Sequence, residues 1–204
     1  MERVSWRAIV LILGFLAIVL SGCAGTPATR FFVLSSTYDP GKMRRLEGER
    51  CYALAIGPVR VSEYLNQPEI VTRINQNEVR LDEFAKWAEP LENNVSRVLA
   101  DNLQSLLCIR SIAVAPWRGQ PLIDYRIDVN MIQMDGQLGE NASLEVSWSI
   151  GDGADRKKPP LFTRRSTYKE PTGGGDYASF VAAQSRNVAS LTRDIAEAIL
   201  LLSK

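Results

Sequence analysis

The sequence predicts an α/β fold: a single domain, a mixed β-sheet containing an antiparallel meander, covered by two amphipathic helices. Three observations predict it. Two segments, near 91–107 and 180–202, repeat apolar residues at steps of three and four. The segments near 123–134 and 144–150 alternate apolar with polar residues, and Phe162 to Tyr168 follows them as a third strand. No internal repeat and no long linker interrupts the chain after the first 30 residues, so one core is expected.

Taken in order, Phe31-Phe32-Val33-Leu34 gives a first short strand, and the polar stretch from Ser35 to Arg50, with Pro40-Gly41, gives a loop. Ala53 to Val61 is apolar on both faces, as a central strand would be, although Pro58 cannot donate to a ladder and prefers an edge or a bulge. Ile70 to Ile74 and Glu78 to Leu81 flank Asn75-Gln76-Asn77, a hairpin pattern. Pro90 suits the first position of a helix, and Leu91, Val95, Val98, Leu99, Leu103, Leu106 and Leu107 mark its buried stripe. Ile123, Tyr125, Ile127, Val129 and Met131 then alternate with Asp124, Arg126, Asp128 and Asn130. The apolar phase switches at Ile132 and Met134, which predicts a bulge. Leu144, Val146, Trp148 and Ile150 form a second strand, a turn-rich loop runs through Pro159-Pro160, and Phe162 to Tyr168 forms the third. Asp176 is placed to cap a last helix buried through Phe180, Val181, Val188, Leu191, Ile195, Ile199 and Leu202.

The N-terminus carries a different signal. Arg3 and Arg7 precede an apolar run from Ala8 to Leu20, shorter than the roughly 20 residues a spanning helix needs. It closes on Leu20-Ser21-Gly22-Cys23, a lipobox. Residues 1–22 are therefore expected to be a lipoprotein signal peptide cleaved between Gly22 and Cys23, with Cys23 lipidated, 23–30 a tether, and 31–204 the folded domain. Two or more acyl chains on Cys23 would hold a membrane stably, where one would not. Ala24, rather than Asp, follows the cysteine, which predicts sorting to the periplasmic face of the outer membrane instead of inner-membrane retention. The tether spans at most about 25 Å when extended, so the domain must stay beside its membrane.

Charge and chemistry exclude several functions. The chain holds 24 basic and 23 acidic residues; removing Arg3, Arg7 and Glu2 with the signal leaves 22 of each. A neutral domain has no electrostatic reason to bind nucleic acid. There is no histidine, so the usual general base and commonest metal ligand are missing, and neither metal nor cofactor is expected. Asp124 and Asp128 alternate along a strand, where a solvated face is the expected setting, and Gly173-Gly174-Gly175 fits a turn. An enzyme is not expected. Cys51 and Cys108 either form a disulfide, closing a loop of about 58 residues for about 4 kcal/mol, or remain two buried thiols.

The ordered motifs resemble a known family. Behind the lipobox come Phe32-Val33-Leu34, Ile56-Gly57-Pro58-Val59-Arg60-Val61-Ser62-Glu63-Tyr64-Leu65 and Asn66-Gln67-Pro68-Glu69-Ile70-Val71-Thr72-Arg73. Trp87-Ala88-Glu89-Pro90-Leu91, Val98-Leu99-Ala100-Asp101-Asn102-Leu103, Asp124-Tyr125, Leu144-Glu145-Val146-Ser147-Trp148 and Tyr177 follow. Together they resemble the ABC-type transport auxiliary lipoprotein family, in its paraquat-inducible type. The pair Cys51 and Cys108 lies outside this resemblance. The resemblance implies a periplasmic partner of mammalian-cell-entry (MCE) domain proteins, whose hexameric rings and tubes work with a permease and ATPase to move lipid between membranes. The lipoprotein would dock the tube's far end on the inner leaflet of the outer membrane, and a homo-oligomeric ring would match such a partner. A lipid- or solute-binding carrier and an outer-membrane assembly accessory are the competing readings.

Partner contacts are expected at Tyr64, Leu65, Pro68, Arg73 and Trp87. Each has a structural alternative. Tyr64, Leu65 and Pro68 could instead close over the core as a lid. Trp87 could pack over the helix N-terminus, and Arg73 could pair with a carboxylate at a subunit contact or face water.

Overall fold

The computed structural model describes residues 27–38, 46, 50–116, 122–155 and 157–203. The expected signal peptide, with Gly22, Cys23 and Ala24, lies outside them. Among the described residues, nine strands and two α-helices follow one another as β1 (Arg30–Phe32), β2 (Tyr52–Ile56), β3 (Arg60–Val61), β4 (Glu69–Asn75), β5 (Glu78–Trp87), α1 (Leu91–Leu106), β6 (Ile109–Val114), β7 (Tyr125–Gln137), β8 (Asn141–Asp152), β9 (Phe162–Pro171) and α2 (Tyr177–Leu202). A single 3₁₀ turn, Glu63–Leu65, stands between β3 and β4.

The strands form two sheets. The larger runs β6-β2-β7-β8-β9, with β3 also on β7; the smaller runs β1-β5-β4. β2 is parallel to both β6 and β7, while β7, β8 and β9 form the expected antiparallel meander. One face of the large sheet supplies Ile127, Val129, Met131, Leu144, Val146, Trp148 and Ile150 to the core. The α1 stripe is wholly buried, and that of α2 is buried except at Leu202, which is half-buried. Asp176 caps α2 by accepting the Ser179 N–H at 2.7 Å. Among the described residues no helix is long and apolar enough to cross a membrane.

Several elements differ from expectation for identifiable reasons. The strand expected over Ala53–Val61 is two pieces: β2 pairs with β7 at Leu54–Ile56 and β3 at Arg60–Val61, with Gly57-Pro58-Val59 as the break. That break removes Pro58 from the ladder, as its missing N–H requires. Gly57 stands where a methyl group would run into Asp128 Oδ1. β1 starts and ends earlier than expected, because the Leu34 N–H turns to the Asn94 side chain at 3.0 Å. β5 extends past Leu81 to Trp87, and Pro90 precedes the helix instead of opening it. β6 is an additional strand, docked on β2. The bulge falls where the phase switch placed it, between Met131 and Gln133.

Candidate functional site

The bulge determines where the polar centre of the molecule forms. Before it, the odd-numbered residues of β7 enter the core; after it, Met134 does, paired with Leu144. Ile132 is the extra residue. Ser62, just past β3, pins it: its N–H donates to the Met131 carbonyl at 3.0 Å, and its hydroxyl to those of Met131 and Ile132 at 3.1 and 2.9 Å. The phase flip turns Asp135 away from the helices and toward β4.

There Asp135 has no exposed side-chain surface and four donors. Arg73 grips it with Nε on Oδ1 at 2.9 Å and Nη2 on Oδ2 at 2.8 Å. The Tyr64 hydroxyl donates to Oδ2 at 2.9 Å and the Gln133 amide to Oδ1 at 2.6 Å. A fork on a carboxylate is the strong form of this contact. Burial, then the Asp135 charge, pushes the Tyr64 phenol far above its ordinary pKa. The hydrogen bond from Arg73 to Asp135 raises the guanidinium in turn. Gln184 of α2 donates to the Asp135 carbonyl at 3.1 Å and the Ser143 carbonyl at 3.2 Å, so helix, large sheet and small sheet meet here.

Of the residues singled out in the sequence, the structure thus brings Tyr64 and Arg73 together on one carboxylate of the same chain. Leu65 and Trp87 are buried in the core, 1% and 7% exposed. Pro68 is exposed, and its carbonyl accepts the Trp87 N–H at 2.8 Å. Cys51 and Cys108 stand where β2 and β6 begin, their Cα atoms 4.5 Å apart with sulfur facing sulfur. That separation lies within the range a disulfide requires.

Asp135 and Ser62 were not singled out in the sequence, and the phase switch at Ile132 is the signal that points to both. Asp124 also departs from the solvated setting expected of it. It accepts the Ala53 N–H at 2.8 Å and meets Arg50 at 2.8 Å and Arg110 at 3.4 Å, closing the start of β2. Asp128 faces water more and pairs with Arg126 at 2.8 Å. These carboxylates are engaged as braces. Among the described residues no cluster of acidic or sulfur ligands could hold a metal ion. A cleft of about 430 Å³ opens between Pro58, Val59, Asn93 and Pro116 beside the start of α1.

The model of the ABC-type transport auxiliary lipoprotein component family matches residues 32–196. No curated protein matches the chain. Among solved structures, the crystal structure of an uncharacterized protein is similar at 16% identity, covering 85% of this chain and 99% of that one with a TM-score of 0.65. A protein from Xanthomonas campestris is similar at 17% identity, covering 75% and 86%, with a TM-score of 0.62. At such identities the likeness is one of fold.

Proposed function

Because the chain belongs to the family of ABC-type transport auxiliary lipoproteins, we propose that it is the outer-membrane docking subunit of an MCE-type system for intermembrane lipid transport. Lipidated on Cys23, it holds the distal end of the MCE assembly against the inner leaflet of the outer membrane. Several copies arranged in a ring would match the ring-shaped partner.

The observation that carries this reading is the position of the family match. It begins at residue 32, directly behind a lipobox and a tether of seven residues from Ala24 to Arg30. Such a protein works within about 25 Å of its membrane and needs a partner to reach across the periplasm. Ala24 supports the outer membrane as the destination. A non-enzymatic role agrees with a chain that lacks histidine and with carboxylates at Asp124 and Asp135 already engaged by arginines.

The test is crosslinking in cells followed by separation of the membranes and mass spectrometry of the partners. Recovery of an MCE protein, with this chain in the outer-membrane fraction, is the expected result. A β-barrel as the sole partner would replace docking with an assembly role. Bound acyl ligand without a partner would replace it with a carrier role. The Cys23→Ser chain should lose its membrane association, and retention in the outer-membrane fraction would refute the anchor.

A further inference from the structure

The Arg73–Asp135 pair has a side that the fold leaves open. A guanidinium carries five N–H groups. Nε and Nη2 of Arg73 each give one to Asp135, and Nη1 gives one to the Gln76 carbonyl at 2.8 Å. One N–H on each terminal nitrogen is left for another acceptor. The Arg73 side chain is 27% exposed and lines a cleft of about 230 Å³ between the β4–β5 turn and the outer face of the large sheet.

Lys169 lines the same cleft from β9. The register sets Asp135, Ser143 and Lys169 side by side on β7, β8 and β9, so about 10 Å, two strand spacings, separates the backbone at the carboxylate from that at the lysine. Ser143 lies between them. Among the described residues Lys169 enters no ion pair, while two other cations of β9 do: Arg164 with Asp194 at 3.7 Å and Arg165 with Glu145 at 2.6 Å. Asp135 is the cleft's one carboxylate; it has no exposed side-chain surface, and the Arg73 charge answers it. The cleft therefore keeps one uncompensated positive charge.

We propose that this cleft binds a phosphate group between the free edge of the Arg73 guanidinium and the Lys169 ammonium. An arginine fork matches phosphate oxygens, and lysine adds a point charge. The anion must offer oxygens to two walls at once, which a tetrahedral phosphate does and a planar carboxylate does poorly. Asp135 holds the guanidinium in place before the ligand arrives, so little side-chain freedom is lost on binding. The cleft admits a phosphate with a few attached atoms and falls short of the about 300–1,000 Å³ that larger ligands occupy. A free phosphate and the phosphodiester of a lipid headgroup share this chemistry. None of these contacts depends on the anchor or on the docking role.

The test is calorimetric titration of the full exported chain in non-ionic detergent at low salt. The probes are inorganic phosphate, glycerophosphoglycerol (the phosphatidylglycerol headgroup without acyl chains) and acetate. Saturable binding of phosphate or of glycerophosphoglycerol is expected. Binding of phosphate alone assigns the site to a free phosphate, and binding of the phosphodiester assigns it to a lipid headgroup. Lys169 is exposed, so Lys169→Met should fold normally and weaken binding at least about tenfold, as loss of a hydrogen bond between charged groups does. Arg164, paired with Trp148 in the register and so on the opposite face of β9, is the control, and Arg164→Met should leave binding unchanged. Absence of binding by both phosphate probes overturns the proposal. So does undiminished binding to Lys169→Met, an equal loss in Arg164→Met, or acetate bound as tightly as phosphate.

Discussion

Substituting Arg73 by Met should cost more than removing both charged partners of the Arg73–Asp135 pair. The Arg73→Met chain keeps a carboxylate with no exposed surface and only two side-chain donors, Tyr64 and Gln133. Breaking a buried pair from one side typically costs 3–5 kcal/mol, because the other charge is left without its partner. The Arg73 side chain is 27% exposed, and the two remaining donors persist, so the low end applies, about 3 kcal/mol. Asp135→Leu leaves a guanidinium that can turn toward water but orphans the Tyr64 hydroxyl and the Gln133 amide, for roughly 2 kcal/mol. The double variant removes both charges and retains only the penalties at the Tyr64 hydroxyl and the Gln133 amide, so it should cost about 2 kcal/mol, well below the sum. Urea unfolding of the four proteins, followed by tryptophan fluorescence, measures each term. If the losses simply add, or if Arg73→Met costs under about 1 kcal/mol, Asp135 does not depend on Arg73 and the reasoning fails.

Trp87→Ala should lower the melting temperature sharply, at a cost of about 3–5 kcal/mol, since the indole is in the core; normal stability with lost partner binding would return Trp87 to an interface role. A disulfide between Cys51 and Cys108 is expected, so mass spectrometry without reductant should show a chain two hydrogens lighter, and reduction should weaken the fold by up to about 4 kcal/mol; two free thiols in the exported protein would refute the bond. Tyr64 and Tyr168 both have pKa values raised chiefly by burial, so the stability they contribute is complete below the ordinary tyrosine value near 10 and declines as pH climbs toward the folded-state values. Denaturant midpoints should therefore fall above about pH 10, and the combined Tyr64→Phe and Tyr168→Phe chain should lose less over that range; an unchanged alkaline slope would show that other groups control it.

The elements legible in the sequence were those whose period stays constant. The α1 and α2 stripes keep their spacing over whole helices, and β7 and β8 alternate cleanly. β6 was illegible because Ile109, Ile112, Ala113 and Val114 share no period of two, and a parallel strand docked on β2 needs only to be mostly apolar. The far half of β5 was hidden by Asp82 and Glu83, at the point where its register with β4 slips between Val71 and Glu69. There the Asp82 side chain accepts the Phe84 N–H at 2.9 Å in place of a ladder bond. The site was half legible. Arg73 suggested a carboxylate partner, but the partner's identity depends on β7 gaining one residue at Ile132. Without that residue Asp135 would point at the helices, and Arg73 would have no acceptor on β7.

The same bulge bears on how the domain carries its anchor. With Cys23 lipidated as proposed, the tether would join the small sheet and any load on it would enter through β1. Two polar connections are among those that join the small sheet to the rest of the molecule, beside the Gln137 amide on the Ile74 carbonyl at 3.1 Å. One runs from the end of β1 to α1, where Leu34 donates its N–H to Asn94 and its carbonyl accepts Arg97 Nη2 at 3.1 Å. The other runs through β5 and β4 to β7, where the Arg73 fork closes on Asp135. The first ties the small sheet to the helical layer and the second to the large sheet. Ser62 fixes the bulge, the bulge aims Asp135, and Asp135 holds Arg73, so a serine outside any strand helps hold the small sheet to the large one.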